Sequence, residues 1–204
     1  SVEDISAYAF DNATATVLID SINVTAEALD LASASISSIT ASAQDNGIAR
    51  IEIGDITVKA LSTGAGGDAY ASFSSIEVSA YDSGSATVII GNVNVTAEAE
   101  DFAYASLGSV SASAFDNGTA SVTIGDIYIK AESHTGDASV HMTDIIVNAY
   151  DNASVNLTVG NITLEAIAHD VSNQAFADNS SSQYAYAEDN ATANLVIGNM
   201  TLKA

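Results

Sequence analysis

Cysteine, proline and tryptophan are absent from this chain of 204 residues, and its Lys and Arg together number four. Without cysteine no disulfide can staple the fold, so stability must come from packing and backbone pairing. Without proline no strand edge is blunted by a missing N–H. Arg50, Lys59, Lys130 and Lys203 stand against 26 acidic residues, for a formal net charge of −22. Nucleic acid and anionic membrane are therefore not expected partners, because each phosphate contact calls for Lys or Arg. Cations and carbohydrate are the more natural neighbours. Long apolar runs are missing too: nothing approaches the roughly 18 residues of a membrane span, so no insertion is expected, and no signal peptide is visible. The chain starts at Ser1 rather than methionine, which suggests processing or trimming.

Catalytic motifs are equally scarce. There is no GxSxG elbow and no Walker loop. His134, His141 and His169 are the only histidines, and they share no short metal-ligand spacing. They read as solvated surface residues. No catalytic residue, metal ligand or cofactor is assigned, and the expectation is a protein that is not an enzyme.

What is present is repetition. Asp11, Asp45, Asp82, Asp116, Asp151 and Asp189 close the same phrase, as in "AFDN" and "AYDN", at spacings of 34, 37, 34, 35 and 38 residues. A second mark recurs midway ("IGDI", "IGNV", "VGNI", "IGNM"), so each unit is two arches of about 17 residues. Lys59, Lys130 and Lys203 occupy one equivalent position ("ITVKA", "IYIKA", "MTLKA") in every second unit, which makes three super-repeats of about 71 residues. The whole of 1–204 is thus a single array.

Within an arch the period is two. In "SATVIIGNVNVTAEA", Ala86, Val88 and Ile90 point one way, and Val93, Val95, Ala97 and Ala99 resume on that face after the Gly-Asn pair. This is the strand signature, with no helical period competing, so the fold class is all-β. Gly-Asp and Gly-Asn read as hairpin turns in which glycine supplies positive φ, and "AFDNGTA" reads as a three-residue hairpin loop. That chemistry favours an antiparallel meander, in which Glu52 would face Lys59. The alternative is a β-solenoid of stacked arcs, which the same alternation fits. Either way the Ala/Val/Ile face demands cover, giving two layers, with the alanine end of one expected against the Val/Ile end of the other. The arch 171–189 lacks large apolar residues and is expected to be irregular.

Three groups of candidate site residues follow. Ten of the fifteen asparagines sit in Asn-x-Ser/Thr sequons: Asn12, Asn23, Asn94, Asn117, Asn152, Asn156, Asn161, Asn179, Asn190 and Asn199. They mark an exported protein carrying N-linked glycans. The six repeat aspartates could line a rim and bind a divalent cation weakly, although Asp and Asn also start turns by bonding their own backbone. The unblunted end strands, with Ile5, Ala7 and Ala9 at one end and Met200, Leu202 and Ala204 at the other, are candidate edges for joining copies into a homopolymer.

The stretches "SATVIIGNVNVTAEA" and "TASVTIGDIYIKA" resemble the short-arch logic of curli. In overall character the chain most resembles the amyloid-like tubular sheath proteins of filamentous methanogenic archaea. That resemblance implies an extracellular structural subunit of a sheath, filament or surface layer, assembled by cross-β pairing. The alternative is a monomeric β-solenoid adhesin or ice-binding module. Ice binding would want a regular Thr ladder, and a lyase-type β-helix would want a cluster of basic residues.

Overall fold

The computed structural model describes residues 1–170, 172–179 and 182–204, and among these all regular structure is strand. The chain runs through β1 (Ile5–Ala9), β2 (Thr14–Ala28), β3 (Leu31–Ala43), β4 (Ile48–Ser62), β5 (Asp68–Ala80), β6 (Ser85–Ile90), β7 (Val93–Ala99), β8 (Ala103–Ala114) and β9 (Thr119–Ile124). It continues through β10 (Ile127–Ser133), β11 (Ala138–Met142), β12 (Ile145–Ala149), β13 (Ser154–Val159), β14 (Ile162–Ala168), β15 (Ala175–Asp178), β16 (Gln183–Ala187), β17 (Thr192–Ile197) and β18 (Met200–Lys203).

Alternate passes go to alternate sheets. One sheet stacks β1, β3, β5 and β8, then β11 with β12, then β15 with β16; the other stacks β2, β4, then β6 with β7, and so on to β17 with β18. Every pairing is parallel and joins residues one repeat apart, from Ile5↔Ile39 at one end to Ile145↔Gln183 near the other. The fold is therefore an all-β, two-layer solenoid of about six turns. Each coil is one pass through each sheet.

Of the two geometries open to the sequence, the arcs form and the meander does not. The Asp-Asn corner nevertheless has hairpin-turn dihedrals. Asp11 and Asn12 have φ of 51° and 65°, and the same pair of left-handed residues recurs at all six corners, with Ser83 in place of Asn in the third. The Ala13 N–H donates to the Phe10 carbonyl at 2.9 Å to close the turn. Asp and Asn adopt this region more readily than other non-glycine residues. On leaving the turn the chain passes into the opposite layer, and its peptide groups pair with the adjacent coils instead of with the strand before it.

The second mark is not a corner. Gly54 lies inside the unbroken strand β4, and in later coils the Gly-Asp or Gly-Asn pair is a two-residue break between collinear strands such as β6 and β7. The true second arc falls at 29–30, 63–67, 100–102 and 134–137, and among the described residues at 169–170 and 172–174. Ser62 and Ser133, the buried polar residues of the core, serve this arc: Ser62 Oγ donates to the carbonyls of Leu29 and Asp30 at 3.0 and 3.1 Å, and Ser133 Oγ accepts from Gly136 N at 3.0 Å.

Because both passes of a coil run from one arc to the other, their midpoints face each other. The large side chains gather there: Ile36, Phe73, Leu107 and Met142 stack in one sheet, and Ile56, Val93, Ile127 and Ile162 in the other, all at most 1% exposed. Alanine lines the thin ends, as in the column Ala9, Ala43, Ala80, Ala114, Ala149 and Ala187. The section is a lens, thick against thick, rather than the opposed tapers the sequence led one to expect. In the last arch, 171–189, two short strands form; Val171, Ser180 and Ser181 lie outside the described residues.

Candidate functional surfaces

The Gly-Asx mark is explained by the neighbouring coil. Gly54, Gly91, Gly125, Gly160 and Gly198 stand in one column, and none has positive φ; among the described glycines only Gly66 does. A Cβ on Gly125 would lie 2.9 Å from the Gly91 carbonyl oxygen and 2.7 Å from Asn92 Oδ1, so the side chain is excluded by close approach of coils. The Asx that follows links them. Asn92 N donates to Asp55 Oδ1 at 2.8 Å, Asp126 N to Asn92 Oδ1 at 3.0 Å, Asn161 N to Asp126 Oδ1 at 2.7 Å and Asn199 N to Asn161 Oδ1 at 3.0 Å. Each of these Asx oxygens thus accepts a peptide N–H of the next coil at the middle of the pass.

The outer face of the second sheet carries the lysines in one column: Thr25, Lys59, Thr96, Lys130, Glu165 and Lys203. Like charges are therefore two coils apart. Lys203 Nζ lies 3.5 Å from Glu165, Lys130 pairs with Glu132, and Glu52 pairs with Arg50 rather than facing Lys59 as in the meander. Beside this column Tyr128 donates to Glu165 Oε2 at 2.6 Å. Burial, and then that carboxylate, push the Tyr128 phenol up to about 12. Glu165 is held below the usual carboxylate range, by Tyr128 first and also by Lys203 and Lys130.

The sequons divide by position. Asn12, Asn117, Asn152 and Asn190 are exposed second residues of the left-handed corner. Asn23 and Asn156 are exposed on outward strand faces, and Asn161 and Asn199 belong to the Asx column. Asn94 and Asn179 are half-buried, and Asn94 Oδ1 is enclosed between neighbours without a hydrogen-bond partner. The six repeat aspartates do form one exposed file, one per coil, flanked by the stacked rings of Tyr81, Phe115 and Tyr150 at 5.1 and 5.0 Å. Among the described residues they do not gather three carboxylates within reach of one ion.

One group of that kind does exist, away from the corner. Glu132, His134 and His169 place one ligand atom each within 4.8 Å of one another. No short spacing announces them, because His134 and His169 are 35 residues apart, which is one coil. His169 Nε2 stands 2.7 Å from Glu132 Oε1, and the two imidazoles stack at 5.2 Å. Glu132 is lowered by Lys130 and by His169. His141 is elsewhere, 3.5 Å from Asp178.

The end strands of this single chain are paired on one side only, and there are several at each end. Ile5, Ala7 and Ala9 pair only with β3, and β2 is equally unpaired on its far side. Met200 and Leu202 pair only with β14; Leu202 is 48% exposed, Ala204 lies just past β18, and β15, β16 and β17 share that end. No protein-family model, curated protein or solved structure matches the chain.

Proposed function

We propose that this chain is a non-catalytic, extracellular β-solenoid module that adheres to a repetitive polymer, carbohydrate in the first instance. The observation that carries this reading is the register. Equivalent residues recur on every coil, so the outward side chains form straight columns at the inter-strand spacing of about 4.8 Å. Stacked aromatics at the corner (Tyr81, Phe115, Tyr150) and the tilted pair Tyr70 and Tyr104, among hydroxyl and amide side chains, suit sugar rings, which offer an apolar face and a polar rim. Ice is a poorer target, because a typical outward column reads Asn23, Thr57, Asn94, Tyr128, Thr163 and Thr201. Sequons at exposed corners fit an exported, glycosylated chain. The test is sedimentation with insoluble polysaccharides such as cellulose and chitin. Retention that falls when Phe115 and Tyr150 are changed to alanine supports the reading, and no retention on any of them rejects it.

A second reading has its own observation. The uncovered strands at both ends could pair with further copies, which would make the chain a subunit of a sheath or filament of the kind its archaeal resemblance implies. Light scattering and electron microscopy separate the two: monodisperse monomer across concentration supports the module, and filaments one solenoid wide support the polymer.

A further inference from the structure

We propose that Glu132, His134 and His169 form a binding site for a divalent transition-metal ion of the zinc class. The site arises from two regularities of the fold. The two-residue strand period puts Glu132 and His134 on one outward face at the end of β10, and the coil register sets His169 beside His134 one coil on. The peptide groups carry that register past the strand ends: His134 N donates to Ala99 O at 3.1 Å and His169 N to Ser133 O at 3.0 Å.

The tautomers favour a ligand role. His134 Nδ1 lies 3.2 Å from the Ala99 carbonyl, which can only accept, so Nδ1 carries the proton and neutral His134 keeps a lone pair on Nε2. A ligating histidine is characteristically held through its other nitrogen by such a carbonyl. On the other side, His169 Nε2 donates to the Glu132 carboxylate at Oε1, 2.7 Å away. A divalent ion takes the place of that hydrogen between the two atoms, and the neutral ring carries its one proton on Nδ1 instead. Glu132 is already held as a carboxylate by Lys130 on its other oxygen, at 2.5 Å. Glu98 stands one coil back in register with Glu132 and adds negative charge.

Two imidazoles and a carboxylate suit zinc, copper, nickel or cobalt better than calcium, whose ligands are oxygens. Both histidines are exposed, so small rotations close the remaining gaps and leave a coordination position open to water or to a group from another molecule.

Calorimetric titration of the full chain with Zn²⁺ at neutral pH is expected to show one saturable site, and Co²⁺ to give visible absorption bands. His134→Ala and His169→Ala should each weaken binding by about tenfold or more, a loss that even a ligand's supporting partner can cause. His141→Ala should leave it unchanged. On the parent chain, proton NMR should show Zn²⁺ shifting two of the three histidine signals, a readout that needs no variant to fold. Absence of saturable binding, undiminished binding in either variant, or no selective effect on two histidines would overturn the site.

Discussion

The glycine column gives the most discriminating perturbation, because the solenoid and the meander assign it different causes. In Gly125→Ala the new methyl meets the Gly91 carbonyl and Asn92 Oδ1, both closer than 3.0 Å, so the coils must part or Asn92 must turn away. Overpacking of this kind costs about 1–3 kcal/mol. Displacing Asn92 also loosens its bond from Asp126 N, worth about 1 kcal/mol. The sum is about 2–4 kcal/mol, or a fall in melting temperature of roughly 5–15 °C for a chain of this size. Gly66→Ala is the comparison. There φ is +76° and nothing lies within 4 Å, so only left-handed strain of about 1–2 kcal/mol applies. The decisive measurement is the double-mutant cycle of Gly91→Ala and Gly125→Ala by urea denaturation. These residues are 34 apart in sequence but touch across coils, so their effects should couple by about 0.5 kcal/mol or more, in either direction. In a meander they would belong to separate hairpins and add. Additivity within about 0.3 kcal/mol would refute the close-approach explanation.

Two further outcomes are expected. The folded chain retains the Tyr128 proton to about pH 12, whereas an unfolded phenol loses it near 10, so this group's contribution is intact below about pH 10 and fades between there and pH 12. Tyr128→Phe should flatten that part of the decline in urea midpoints, and equal slopes in parent and variant would count against it. Reversing Lys59, Lys130 and Lys203 to glutamate changes the charge by −2 at each of three sites, from −22 to −28, and turns the Lys130–Glu165–Lys203 run wholly acidic. The partly exposed pairs Lys130–Glu132 and Lys203–Glu165 are worth only about 0–1 kcal/mol each, so the loss should be modest and largely recovered in salt; a salt-independent melting temperature in the variant would contradict it.

The two-residue alternation of Ala86, Val88, Ile90 and Val93, Val95, Ala97 made the strands and the buried face legible, and the aspartate spacing gave the length of a coil. Strand direction was not legible, since inward and outward residues alternate identically in parallel and antiparallel sheets. Asp-Asn announced a turn, but the left-handed residues are the Asp and Asn themselves and not the glycine that follows in Asp-Asn-Gly, and a local turn does not determine which layer the chain enters next. Gly-Asx was misread because the cause of its glycine lies in a carbonyl 34 residues away. The same distance hid His134 and His169: once the coil length is known, residues 35 apart become neighbours.

The hydrogen bonds between coils run along the axis of the solenoid, and residues 1 and 204 lie at its opposite end faces. Tension applied between those residues therefore acts on one end ladder at a time, as in opening a zip, instead of shearing all ladders together. Each coil peeled away yields about 120 Å of extended chain in exchange for about 4.8 Å of rod. With no disulfide to halt it, a pulled solenoid lengthens in roughly equal steps, dissipating work at every coil while the coils not yet reached stay folded.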